Sequence, residues 1–492
     1  MKKAGILLHI TSLNSDFGIG DFGPAAFQFV DFLSKSGQSY WQILPIEYIG
    51  LGNSPYQCYS SRAINPYLIN LLELVDDGLC EKDFIDKFRD SGNREKVDYD
   101  EVFKIKDSIF KKAFEKFNLA DDEYNKFKAE NAGWLEDYAL FIVLLKKTNG
   151  LTLREFSNDL IDRNPQKLNE ALKEYRDEVE LEKFLQFLAF RQWFKLKKYA
   201  NSLGIEIIGD IPIYLSFDSA EVWTDRELFK IGESLHLKHV SGVPPDKLSD
   251  DGQIWGNPVY DWKYHSQSKY EWWINRIDMA LEKFDIIRID HFRGFAKYYA
   301  IKEPFEDAHK GKWKKGPGFR MFRLINSIFD NSRIIAEDLG LITHDVRRLI
   351  KKTGYAGMKI AQFGYGEESG NEHLPANYRY KTYVYSGTHD NNTLIGWYDE
   401  LNNKDNKNLK KHIPGINRNN VCDMIISQVM ESDSQTAIIP MQDYLKLQGT
   451  ARMNTPSTPV GNWEWRMQNI PGGLSEEIVK YTNKRRVDNG QI

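Results

Sequence analysis

Eight short apolar runs recur along the chain, and most of them stop abruptly at polar residues. They are AGILLHI (4–10), WQILPI (41–46), IEIIGDIPIYL (205–215), FDIIRIDHF (284–292), SRIIAEDLG (332–340), MKIAQFGYG (358–366), TYVYSGTHDN (382–391) and TAIIPMQD (436–443). Continuous apolar character, without alternation, suits parallel strands buried on both faces. Helical patterns lie between many of the runs, FGPAAFQFVDFLSKSG (22–37) and RMFRLINSIF (320–329) among them. Strands alternating with helices predict βα units, and eight of them predict an α/β chain folded as a (β/α)8 TIM barrel. In that architecture catalytic groups sit at the C-terminal ends of the strands, where polar residues closing an apolar run are expected.

Two connections are too long for simple crossovers. The stretch at about 75–204, between the second and third runs, has helical patterns and no strand signal. Its clearest helices are WLEDYALFIVLLKK (134–147) and 181–204, the latter closed by Gly204. After the third run, 216–283 holds GVPPDKLSDDGQIWGNP, whose Pro, Gly and Asp density predicts an irregular, loop-rich insertion. Long loops of this kind are often lids or binding loops. All 492 residues are thereby expected to form a single barrel carrying large, mainly helical insertions.

Lys plus Arg number 66 and Asp plus Glu 70, a net charge of −4, which gives no electrostatic reason to expect nucleic acid. No apolar run is long enough to cross a membrane. The start MKKAGILLHI contains His9 and lacks a small-residue cleavage site, so it is predicted to be a first strand and not a signal peptide. The three cysteines, Cys58, Cys80 and Cys422, have neither disulfide-framework nor zinc-site spacing. A cytoplasmic protein without a metal or other cofactor is expected. Oligomeric state is not legible.

Asp290, Glu337 and Asp390 close the fourth, fifth and seventh runs, and in a barrel these ends converge on one pocket. Three carboxylates there repel one another, so at least one should hold a proton more tightly than usual. A protonated acid beside an ionised carboxylate is what glycosidic cleavage needs. Arg288 lies two residues before Asp290 and shares its side of the strand, which suits an ionised, oriented nucleophile. Ile287 and Ile289 face the other way, and Gly294 is expected to let the chain turn aside. A strand-end Asp is also a common turn or helix cap, so the argument rests on the three together. The rival chemistry is metal-dependent hydrolysis with His9, Asp210, His291 and His389 as ligands, but HxH and HExxH spacings are absent. Neither a P-loop nor a strand-following GxGxxG is present.

At this point the chain resembles the 4-α-glucanotransferases of the amylomaltase or disproportionating-enzyme type, relatives of the α-amylase clan. The stretches that carry the resemblance are TSLNSDFGIGDFG, SPYQCYSSRAINPYLI, GDIPIYLSFDSAEVW, GVPPDKLSDDGQIWGNPVYDW, IIRIDHFRGF, IIAEDLG, YSGTHDNNT and ARMNTPSTPVGNWEWR, in the family's order. The resemblance implies Asp290 as nucleophile, Glu337 as acid/base and Asp390 as the carboxylate that orients the sugar. It also implies substrate contacts at Ser54, Tyr56, Asp210, Gln253, Trp255, Arg288, His291 and His389. The implied reaction moves segments of maltooligosaccharides and other α-1,4-glucans to the 4-hydroxyl of an acceptor with retained configuration. An α-1,4-glucan hydrolase and a non-catalytic glucan-binding protein are the alternatives. Two departures stand out: Lys247–Leu248 where the family often has an aromatic pair, and HDNNT where HDNDT is commoner.

Overall fold

The computed structural model describes residues 2–90, 94–245 and 251–487. In chain order its strands are β1 (Lys3–Leu7), β2 (Tyr40–Gln42), β3 (Glu206–Ile211), β4 (His239–Val243), β5 (Gln253–Pro258), β6 (Ile286–Ile289), β7 (Lys297–Lys302), β8 (Lys312–Lys315), β9 (Ile334–Ala336), β10 (Gly357–Ile360), β11 (Thr382–Tyr385) and β12 (Thr436–Pro440). Eight of them, one from each apolar run, pair in parallel in the order β10-β11-β12-β1-β2-β3-β6-β9. A parallel bridge between Ile335 and Ala356, with Ala336 N–H donating to the Ala356 carbonyl at 2.9 Å, brings the two ends of this sheet together. The result is the expected (β/α)8 barrel.

Alternation within each strand separates two cores. Leu7, Tyr40, Ile208, Ile286, Ile335, Met358, Tyr383 and Ile438, one from each barrel strand, are buried together and fill the barrel. Their neighbours Ile6, Trp41, Ile207, Ile287, Ile334, Val384 and Ala437 belong to the larger core under the helices. Two residues beyond Ile208, Ile286 and Ile335, the same inward direction is taken by Asp210, Arg288 and Glu337.

Between β2 and β3 the chain is helical, with helices Tyr99–Lys116, Leu135–Lys147 and Arg176–Ser202 the longest. The last ends at Leu203 and Gly204, the glycine adopting φ 75°, a left-handed value that stops a helix. Phe117, Tyr124, Phe184 and Phe187 pack edge-on and tilted against one another inside this region.

The connection after β3 differs from expectation. It is not simply loop-rich: it contains β4, β5 and the helix Glu271–Lys283. β4 and β5 join β7 and β8 in an antiparallel sheet of order β5-β4-β7-β8. β5 is an edge strand, which is why it tolerates Gly256 at φ 78° and ends in Pro258. Lys247 and Leu248 lie outside the described residues.

Candidate active site

Arg288 sits at the centre of a charged network. Only 4% exposed, it bonds Asp210 through Nη1 and donates from Nη2 to Asp290 Oδ1 at 2.9 Å. Strand register explains the first contact, since Asp210 pairs with Arg288 across β3 and β6. Burial works against the Arg288 cation, but Asp210 and Asp290 outweigh it and hold its pKa well above the ordinary value. Asp210 itself is 1% exposed, and its Oδ2 also accepts from the Tyr56 hydroxyl at 2.7 Å. It is not among the residues that line the groove, and its side chain bonds Arg288 and Tyr56.

The chain turns sharply after Asp290. His291, not Gly294, takes the left-handed conformation (φ 46°, ψ 47°). Gly294 serves close packing instead, since a Cβ there would meet Ile213 Cδ1 at 2.6 Å. The turn aims the His291 N–H at Glu337 Oε2, 2.8 Å away, while Leu339 N–H donates to Oε1 at 2.6 Å. The Glu337 carboxyl is thus clamped by two backbone donors. The His291 ring meets Trp255 edge-on, centroids 4.8 Å apart, and burial pushes its pKa down to about 3, so it stays neutral.

Asp390 and His389 come from the loop after β11. Asn454 Nδ2 donates to Asp390 Oδ1 at 2.6 Å, His389 Nε2 is 3.4 Å from the same oxygen, and Arg452 Nη2 donates to the Asp390 carbonyl at 2.6 Å. The His389 ring stacks on Tyr56, centroids 5.2 Å apart and 19° between planes, and Trp463 leans on both rings. Burial lowers the His389 pKa, against the pull of Asp390, so an uncharged imidazole faces the groove.

These groups line one cavity of about 450 Å³. Ser54, Tyr56, Gln253, Trp255, Arg288, Asp290, His291, Glu337, His389 and Asp390 all contribute to its wall. Ser54 Oγ accepts from Tyr56 N–H at 3.3 Å, and Trp255 Nε1 donates to Gln253 Oε1 at 3.0 Å, so each pair holds its own segment of the wall. Arg452, Asn454 and Trp463 were not individually legible in the sequence. Their stretch, ARMNTPSTPVGNWEWR, carries the family resemblance, but no spacing within it points to Asp390.

Three carboxyls here bind protons more tightly than usual. Burial raises Asp210 to about 7, Arg288 opposing and Asp290 adding. Burial raises Glu337 to about 7, the negative charge of Asp290 adding and Arg288 opposing. Burial also raises Asp290, against the pull of Arg288 and with Asp390 adding. Asp210 and Asp290 both bond the Arg288 cation, whereas Glu337 is met only by neutral backbone donors, so of the three Glu337 is the carboxyl best placed to keep the proton, and they titrate together. A protonated carboxyl beside an arginine-paired carboxylate, in a groove walled by aromatic rings, can protonate a leaving oxygen while a nucleophile attacks carbon. Among the described residues no group of three or more His, Cys, Asp or Glu is arranged to hold a metal ion. Among the same residues no helix is long and apolar enough to cross a membrane.

Comparison with known proteins bears on this geometry. A family model described as 4-alpha-glucanotransferase matches residues 8–471. The 4-alpha-glucanotransferase of Clostridium butyricum is 41% identical over 480 residues, covering 96% of this chain and 99% of its own. The chloroplastic/amyloplastic 4-alpha-glucanotransferase of Solanum tuberosum is 40% identical over 497 residues, covering 99% of this chain and 85% of its own. Among solved structures, the amylomaltase of Streptococcus agalactiae in complex with acarbose superposes with a TM-score of 0.94 at 37% identity, covering 99% of each chain.

Proposed function

The chain belongs to the 4-alpha-glucanotransferase family, and on that premise we propose that it disproportionates maltooligosaccharides and longer α-1,4-glucans by a retaining double displacement. In this reading Asp290 attacks the anomeric carbon as Glu337 gives its proton to the departing 4-oxygen, and a glycosyl ester forms on Asp290. Glu337, now ionised, takes the proton of an acceptor 4-hydroxyl, which attacks the same carbon and releases Asp290. Asp390, fixed by Asn454 and His389, orients the reacting glucose. Arg288 keeps Asp290 ionised and aimed. The observation that carries the proposal is the pairing of Asp290 with Arg288 opposite a backbone-clamped Glu337 raised to about 7.

In the same proposal the barrel and helical insertion form one catalytic unit, a reading supported by a hydrophobic core that runs through both. A cytoplasmic setting is part of the proposal, supported by three buried cysteines that are all free thiols.

Maltotriose distinguishes the candidate activities. Transfer gives a ladder of longer and shorter oligomers, hydrolysis gives only shorter sugars, and a glucan-binding protein leaves the sugar unchanged. The ladder is the expected result, read by chromatography of the products, and its absence would overturn the proposal.

The basic limb of the pH–rate profile is set by Glu337. It must be protonated to donate, so kcat/KM is expected to fall as pH rises through about 7. The same shift has a stability consequence. The folded chain holds a proton at Glu337 between the ordinary carboxyl value, about 4.3, and its own raised one. This contribution is therefore full below that ordinary value and lost as pH rises through about 7. Glu337→Gln should flatten the kinetic limb and this part of the stability curve together. A limb that stays in place in the variant assigns it to another group.

A further inference from the structure

Behind the loop that delivers His389 and Asp390 lies a second, small cavity of about 30 Å³. Its wall includes His9, Ser12, His389, Asp443, Arg452 and Trp465. His9 is 7% exposed and Ser12 fully buried, yet His9 Nδ1 and Ser12 Oγ have no hydrogen-bond partner within the protein among the described residues. Two buried polar atoms left bare would each cost free energy, and a polar chamber that can hold water removes the cost. At roughly 10–15 Å³ per water, this chamber holds about two.

The other polar groups around it are fixed. Asp443 accepts from Ser386 Oγ at 2.6 Å and from Leu394 N–H at 2.8 Å, which leaves further lone pairs for water. Arg452 spans from the chamber to the Asp390 carbonyl. On its other side the His389 ring stacks on Tyr56. The chamber therefore touches the backs of the groups whose fronts face the glucan.

We propose that His9 is a positioning residue for His389: ordered water in this chamber joins His9 Nδ1 and Ser12 Oγ to Asp443 and the back of the His389 loop. This water-filled support fixes the His389 ring against Tyr56 and, through it, the reacting glucose. The inference rests on the reading of His389 as a substrate-binding group.

The full-length enzyme tests it in two ways. A high-resolution crystal structure of the wild type should show water within hydrogen-bond distance of both His9 Nδ1 and Ser12 Oγ, and a dry chamber overturns the proposal. His9→Leu should lower kcat on maltotriose roughly 10- to 100-fold with little change in KM, as expected when the reacting glucose is misplaced by up to about 1 Å. His9→Asn, whose amide sits near the place of Nδ1, should recover most of that loss. Unchanged kcat in His9→Leu, or equal loss in His9→Leu and His9→Asn at equal Tm, overturns it. His389→Ala separates the two levels. If that variant keeps full activity, the reading of His389 fails and this inference with it. If it is inactive while His9→Leu is fully active, only the role of His9 fails. Should His9→Leu not fold, the water positions in the wild type still decide.

Discussion

Asp290→Asn is expected to reduce disproportionation by about 10⁴-fold or more, because in the proposed mechanism it removes the nucleophile of a covalent step and each ~1.4 kcal/mol of barrier is worth tenfold in rate. The fold should survive. Asn has the same shape, its Oδ1 can still accept from Arg288 Nη2, and Arg288 keeps its buried partner Asp210. The Asp290 side chain is 26% exposed, so the change opens no cavity in the core. Thermal unfolding and the maltotriose rate should therefore separate, with Tm shifted by a few degrees at most and activity lost. Near-normal turnover would remove Asp290 from the mechanism, and a collapse in Tm would show that the loss of rate reports unfolding.

The second large effect is expected at Glu337 and depends on the donor. Glu337→Gln keeps the shape of the side chain and one acceptor oxygen for the two backbone donors His291 and Leu339, but it has no acidic proton to give. With maltooligosaccharides, whose leaving oxygen needs that proton, turnover should fall by roughly 10²–10⁴-fold, the usual worth of a positioned acid. Fluoride departs from a glycosyl fluoride without needing a proton, so the first step with that donor should retain much of its rate. Comparing the two donors on the variant isolates acid catalysis from binding. If the fluoride is slowed as much as the oligosaccharide, Glu337 is not the acid. Asp338 is the less attractive substitute, since its carboxylate is already held by Lys359 Nζ at 3.1 Å and by the Met358 N–H at 2.6 Å.

The eight barrel strands are legible in the sequence because parallel strands buried on both faces leave uninterrupted apolar runs. The same regularity exposes the site: counting by two along 286, 288 and 290 places Arg288 and Asp290 inside the barrel without any structure. The antiparallel sheet is invisible for the opposite reason. KYYAIK offers only four apolar residues between lysines, KWKK is short, lysine-rich and partly solvated, and QIWGNP contains the glycine and proline that signal a loop. The turn at His291 is equally hidden, since a non-glycine residue at positive φ is set by its surroundings and Gly294 is the residue that sequence rules favour. Arg452 and Asn454 reach Asp390 across 62 and 64 residues, contacts that exist only once the barrel closes. Crowding of carboxylates was legible as a cause of a tightly held proton, but burial is the larger cause at Glu337, and Asp390 acts on Asp290 instead.

The central claim is that a glycosyl ester forms on Asp290. Glu337→Gln supplied with a glycosyl fluoride should form that ester and then stall, because the residue that deprotonates the acceptor is gone. Peptide mass spectrometry of the trapped enzyme reads the result directly. The account predicts one added glycosyl unit on the peptide that contains Asp290. An adduct on a peptide carrying Asp210 or Asp390 instead, or inverted product released with no adduct at all, would contradict it.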